Sequence, residues 1–141
     1  MKRIAGRFAA MPHKEKLLAA EAVMMLYWSW LKIQFMSLRR LTNMGKETAI
    51  TGLSNDKDSS KAIISIKTAL RRADRFSFWR NRCLVSSFAG KKMLSRRGIE
   101  SSIYLGARLD EGGRLKAHAW LKSGDIEVVE KSGEFSELYV L

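Results

Sequence analysis

The sequence predicts an α+β domain, with helices first and then one more helix packed on a small antiparallel sheet. Three observations carry this. Apolar residues in the first half recur at helical spacing, the second half breaks into short segments of period two, and glycine-bearing turns separate those segments. At 141 residues the chain is long enough for one core without disulfide staples.

Pro12 suits the first turn of a helix, where its missing N–H costs nothing. A helix is expected from His13 to Met36. Residues 17–31 of it are apolar nearly all round, which predicts a helix that is buried or covered by a partner. A membrane span needs roughly 20 apolar residues. Here the run is shorter, holds Glu21, and has lysines at both ends, so no span is expected. Trp28 and Trp30 read as packing residues. Ser37–Met44 adds a short helical piece, and the polar stretch Gly45–Ser59 reads as a loop. Ser59 or Ser60 can cap a second helix running to Phe76, with Ile63, Ile66, Ala69, Leu70 and Ala73 on one side. A third helix spans Arg82–Arg96, with Leu84, Val85, Phe88, Met93 and Leu94 as core, and Gly98 stops it.

Four strands follow. Ile103–Leu109 alternates, Gly112-Gly113 turns the chain, and Leu115–Lys122 alternates again. On that second strand, Leu115, Ala117, Ala119 and Leu121 take the side expected to be buried, opposite Lys116, His118, Trp120 and Lys122. Ile126–Lys131 and Phe135–Val140 complete the sheet.

Twenty-six Lys and Arg against 14 Asp and Glu give a net charge of +12, which points to an anionic partner. The basic residues are scattered, and the pairs Arg39-Arg40, Arg71-Arg72, Lys91-Lys92 and Arg96-Arg97 read as solvated surface. High charge and four tryptophans support a nucleic-acid-binding module as an alternative, but no helix-turn-helix, zinc or RNA-binding signature accompanies them. The single cysteine cannot form an internal disulfide, which fits a reducing, cytoplasmic setting. No Cys/His cluster or glycine-rich phosphate loop suggests a metal or nucleotide cofactor.

That cysteine, Cys83, is placed to begin the third helix. Unpaired N–H groups and the helix dipole there favour a negatively charged sulfur, and Arg80 and Arg82 add positive field. The same N–H groups could donate hydrogen bonds to an oxyanion. A thiol nucleophile needs a base, and a group to orient the base. His13 lies at the polar start of the first helix, so His118 is the better base. If Ser123-Gly124-Asp125 is a three-residue loop, His118 faces Glu130, and Cys83–His118–Glu130 can form a triad. A two-residue loop sets His118 against Val129 and turns Glu130 away. Asp125 is the fallback, close to the turn's tip.

Cys-Leu-Val-Ser-Ser at 83–87, Leu-Ser-Arg-Arg-Gly-Ile at 94–99, Tyr-Leu-Gly-Ala at 104–107 and Ala-His-Ala-Trp-Leu at 117–121 follow one another at tight spacing. Over about 78–141 the chain resembles the transglutaminase-like cysteine peptidases of lasso-peptide maturation. The resemblance implies a transglutaminase/papain-like core over 60–141, preceded by a helical extension and loop over 1–59. It implies removal of the leader from a precursor peptide, after which an ATP-dependent cyclase closes a macrolactam. A separate recognition-element protein would deliver the leader. Cys83 would be the nucleophile and His118 the general base. The family's acidic residue, commonly Asp, falls at Glu130. No cofactor or metal is implied. A non-catalytic scaffold of the same fold is the remaining alternative.

Overall fold

The computed structural model describes residues 11–37, 40, 43, 57–78 and 81–141. Among these, three helices precede four strands: α1 (His13–Phe35), α2 (Lys57–Asp74), α3 (Arg82–Ser95), β1 (Ser102–Leu109), β2 (Leu115–Ser123), β3 (Ile126–Val129) and β4 (Ser136–Val140). The strands form one antiparallel sheet in the order β3-β2-β1-β4. The predicted α+β layout is the observed one.

Pro12 stands at the N-cap of α1, one residue ahead of the first turn, and its carbonyl accepts from Glu15 and Lys16 N–H. α1 buries only the stripe Ala19, Ala22, Leu26 and Ser29, packed against α2 and α3. Alanines on that stripe let the helices approach closely. Of the remaining apolar surface, Leu18, Met25 and Ile33 pack partly against the core and Leu17, Met24, Tyr27 and Phe35 are exposed, so the helix is half buried rather than enclosed. Trp30 packs against the core, while exposed Trp28 carries Lys32 over its ring. No helix among the described residues is long and apolar enough to cross a membrane.

α2 starts at Lys57, earlier than expected, so Ser59 and Ser60 lie inside its first turn. Asp58 there complements the positive helix end. The remainder of the expected Gly45–Ser59 loop, like most of Ser37–Met44, lies outside the described residues. The stripe Ile63, Ile66, Ala69, Leu70 and Ala73 is buried, as its spacing predicts.

α3 is the central element, and its Val85, Ala89, Met93 and Leu94 are fully buried. A Cβ at Gly90 would stand 2.6 Å from Leu121 Cδ2 and 3.0 Å from Leu70 Cδ1. Glycine there lets α3 lie close to both β2 and α2. Gly98 ends the helix with φ +68, its N–H donating to Ser95 O and that of Ile99 to Leu94 O. This pair of bonds satisfies carbonyls that the helix leaves open.

Among the basic pairs, Arg71, Lys92, Arg96 and Arg97 are exposed as expected, and Lys91 is the exception. Lys91 is buried, donates to Ser101 O at 3.2 Å, and has its pKa lowered by desolvation. Arg97 donates to both carboxylate oxygens of Glu21, at 3.1 and 2.6 Å, and Arg96 lies 3.5 Å away. These bonds tie the end of α3 to the middle of α1.

β1 pairs with β2 along its whole length, with Gly106 opposite His118. The expected one-sided burial of β2 does not hold. Leu115 and Ala117 are exposed near the hairpin tip, whereas Trp120 on the opposite face is 1% exposed. Tyr104 and Phe135 cover Trp120, so both faces are packed at mid-strand. Gly106 makes room for it, since a Cβ there would lie 2.9 Å from the indole.

Hydrogen bonding to Arg97, reinforced by the charges of Arg97 and Arg96, holds the Glu21 carboxyl below its ordinary titration range. Its stabilising effect is therefore in place above the ordinary glutamate range and is lost as pH falls through the depressed one. Glu21→Gln is expected to cost about 1 kcal/mol near neutral pH in urea unfolding. The difference from wild type should close in strongly acid buffer. An equal deficit at every pH would show that packing, not charge, is what the substitution disturbs.

Candidate active site

Asn81 caps α3, and the first intrahelical bond runs from Val85 N–H to Asn81 O. The N–H groups of Arg82, Cys83 and Leu84 precede it and have no acceptor within the helix. Cys83 is thus in the first turn, at the positive end of the dipole, and is half-buried rather than sealed. Arg82 does not aim freely at the sulfur, because its guanidinium is tied back to Ser77 O. Arg80, the other expected cation, lies outside the described residues.

A pocket of about 230 Å³ opens beside Cys83. α2 contributes Leu70, Arg71 and Asp74, α3 contributes Arg82, Cys83 and Ser86, and β2 contributes His118. Val128, Val129 and Glu130 complete the lining. The structure therefore brings Cys83, His118 and Glu130 to one pocket. It leaves His13 exposed on α1 and Asp125 exposed in the β2–β3 turn, and neither lines it. Cys83 and His118 share the pocket, and no hydrogen bond joins them.

Neither expected register joins β2 to β3. Ser123 pairs with Ile126 across a two-residue turn, Gly124-Asp125, in which Gly124 has φ +57. Positive φ at the first turn position matches the strand twist of a hairpin. A bulge then shifts the ladder, so that Lys122 faces Glu127 and Leu121 faces Val129. Pairing stops there, and the edge of β2 is open at His118.

Glu130 consequently lies beyond the ladder. Its carboxylate turns to α2, 3.3 Å from Lys67 Nζ and 3.9 Å from Arg71 Nη1. Its main-chain carbonyl, not the carboxylate, meets the imidazole, 3.0 Å from His118 Nε2. A carbonyl oxygen only accepts, so Nε2 is inferred to carry the proton. Nδ1 is then the nitrogen free to take one.

Two contributors escaped the sequence reading. Asp74, at the end of α2, accepts from Ser77 Oγ at 2.8 Å and Ser86 Oγ at 3.3 Å, joining α2 to the first turns of α3. A carboxylate at a helix C-terminus opposes the dipole, and that was the available signal. Phe135, assigned above only to the last strand, precedes β4 and stacks on His118 with ring centroids 5.0 Å apart. No period or motif marks it. Among the described residues, no group of three or more His, Cys, Asp or Glu could hold a metal ion.

Residues 25–140 match the family model described as the transglutaminase-like superfamily. No curated protein and no solved structure matches the chain. The match runs from the second half of α1 to the end of β4, through every element that lines the pocket, and the chain belongs to the transglutaminase-like superfamily.

Proposed function

We propose that this chain is a cysteine peptidase that removes the leader from a lasso-peptide precursor before a partner enzyme closes the ring. The observation that carries the chemistry is the convergence of a cysteine in the first turn of a helix and a histidine with Nε2 already engaged. The short motifs at 83–87, 94–99, 104–107 and 117–121 support the lasso assignment within the superfamily.

In this reading Nδ1 of His118 accepts the Cys83 proton as the sulfur attacks the leader's last carbonyl. The resulting oxyanion is met by the N–H groups that open α3. Collapse breaks the C–N bond, and the imidazolium returns its proton to the departing amine of the core peptide. Water, deprotonated by the same imidazole, then hydrolyses the thioester and regenerates the thiol. Leu70, Val128 and Val129 give the pocket an apolar wall, and no step draws on a cofactor. The leader would be presented by a recognition-element protein, and a lasso cyclase would consume the freed core peptide. All of these are expected in the cytoplasm.

The reading is tested by incubating the chain with its precursor peptide, with and without the recognition protein and cyclase, and following cleavage by mass spectrometry. Wild type should release the intact leader, and Cys83→Ala should lower the rate by more than about 10³-fold. Cleavage that survives Cys83→Ala would overturn it, as would a precursor left intact in the complete mixture.

The net charge of +12 should steer an acidic leader, or the protein that holds it, toward the pocket. At low substrate, kcat/KM is expected to fall severalfold between about 50 and 300 mM salt. A rate indifferent to salt would remove the steering role.

Glu130→Gln keeps the carbonyl that meets His118. Its activity should stay within roughly fivefold of wild type, the scale of a surface charge pair. A loss near 10⁴-fold, the scale seen when an orienting carboxylate is neutralised, would instead make the carboxylate the orienting group.

A further inference from the structure

The imidazole of His118 is held from two directions by one short piece of chain. Glu130 O meets the ring edge at Nε2, and five residues later Phe135 covers the ring face at 5.0 Å, tilted by 28°. The connection between them reverses sharply. Ser132 has φ +44 and Gly133 φ +115, and Ser132 is the one non-glycine residue with positive φ among the described residues. A left-handed conformation is unfavourable for a residue that carries a side chain. Such strain persists where the surroundings over-determine it, and it gathers at functional sites.

The surroundings do over-determine it. Arg108 lies over the Phe135 ring at 4.8 Å, and its Nη1 would be 3.2 Å from a Cβ placed on Gly133. Lys131 stands over Trp120 at 4.9 Å and pairs with Glu137 at 3.7 Å. Trp120 in turn contacts both His118 and Phe135, at 6.2 and 6.5 Å, and is itself buried. Phe135 sits closer to the imidazole than to the indole, so its position serves the histidine at least as much as the apolar cluster.

We propose that the Glu130–Phe135 connection is a clamp that positions His118, with the Glu130 carbonyl fixing the tautomer and Phe135 fixing the plane of the ring. Phe135 is a positioning residue, acting through His118 without touching substrate. The clamp rests on His118 being the base of the proposed peptidase, but its signature in the imidazole is visible without turnover.

The test compares wild type with Phe135→Ala, Phe135→Leu and Phe135→Tyr by nitrogen-15 NMR of the histidine ring and by leader cleavage. Wild type should show His118 predominantly with the proton on Nε2. Phe135→Ala and Phe135→Leu should mix the tautomers and lower kcat by roughly 10- to 100-fold with KM little changed, the scale of a misplaced catalytic group. Phe135→Tyr, which restores the ring face, should recover both signals. Phe135→Leu retains bulk, which keeps the comparison valid if the alanine variant unfolds. A ring signal and kcat unmoved by Phe135→Leu would overturn the clamp. If the ring signal shifts as expected while wild type cleaves no precursor, the clamp stands and the peptidase assignment falls.

Discussion

The seating of α3 on the sheet at Gly90 is the constraint on which the site depends. Leu121 and Leu70 both press on that glycine, so one contact fixes α3 against β2 and against α2. From there the chain runs back to Cys83 over seven helical residues, about 10.5 Å at helical rise. Along β2 it runs back from Leu121 to His118 over three residues, about 10 Å at strand rise. The two arms have nearly equal length, and both end at the pocket that Cys83 and His118 line. Shifting α3 by one turn on β2 would separate them by about 5 Å. Buried Val85, Ala89, Met93 and Leu94 oppose any such slip.

Surplus positive charge shapes the site locally. Several carboxylates are each shared by two cations: Glu21 by Arg96 and Arg97, Glu130 by Lys67 and Arg71, and Asp110 by Arg114 and Lys116. With cations in such excess, a carboxylate near α2 is drawn to them before it reaches a neutral imidazole. This competition explains why Glu130 offers His118 its carbonyl and gives its carboxylate to the helix. The same competition makes Glu21 a brace between α1 and α3, although it interrupts an apolar run.

Much of this was legible from residue order. Gly98 stops α3 because only a glycine takes its φ without cost, and the alternation of 103–109 and 115–122 fixed which residues share a face. What was hidden depends on contacts distant in sequence. Both faces of β2 are buried because Phe135 and Tyr104 come over Trp120, and no local period encodes that. The β2–β3 register turned on a bulge between Leu121 and Lys122, which displaces every pairing beyond it. Cys83 and His118 were visible as residue types in a telling order. How Glu130 meets His118 required the fold.

A neutral carbonyl in place of a carboxylate has a consequence for which nucleophile the site can serve. An orienting carboxylate also stabilises the imidazolium that forms when the base takes a proton, and a serine nucleophile, being a weak acid, depends on that charge. A thiol gives up its proton far more readily, so the base beside it needs less electrostatic support. In the proposed mechanism the remaining support would come from the Phe135 and Trp120 rings stacked on His118, whose π-electrons attract a cation lying over them. In the proposed mechanism the arrangement therefore suits a thiol better than a hydroxyl. Serine at position 83 would keep the geometry, yet the proton would then have to move to an imidazole backed by a peptide carbonyl and two aromatic rings, with no carboxylate on it.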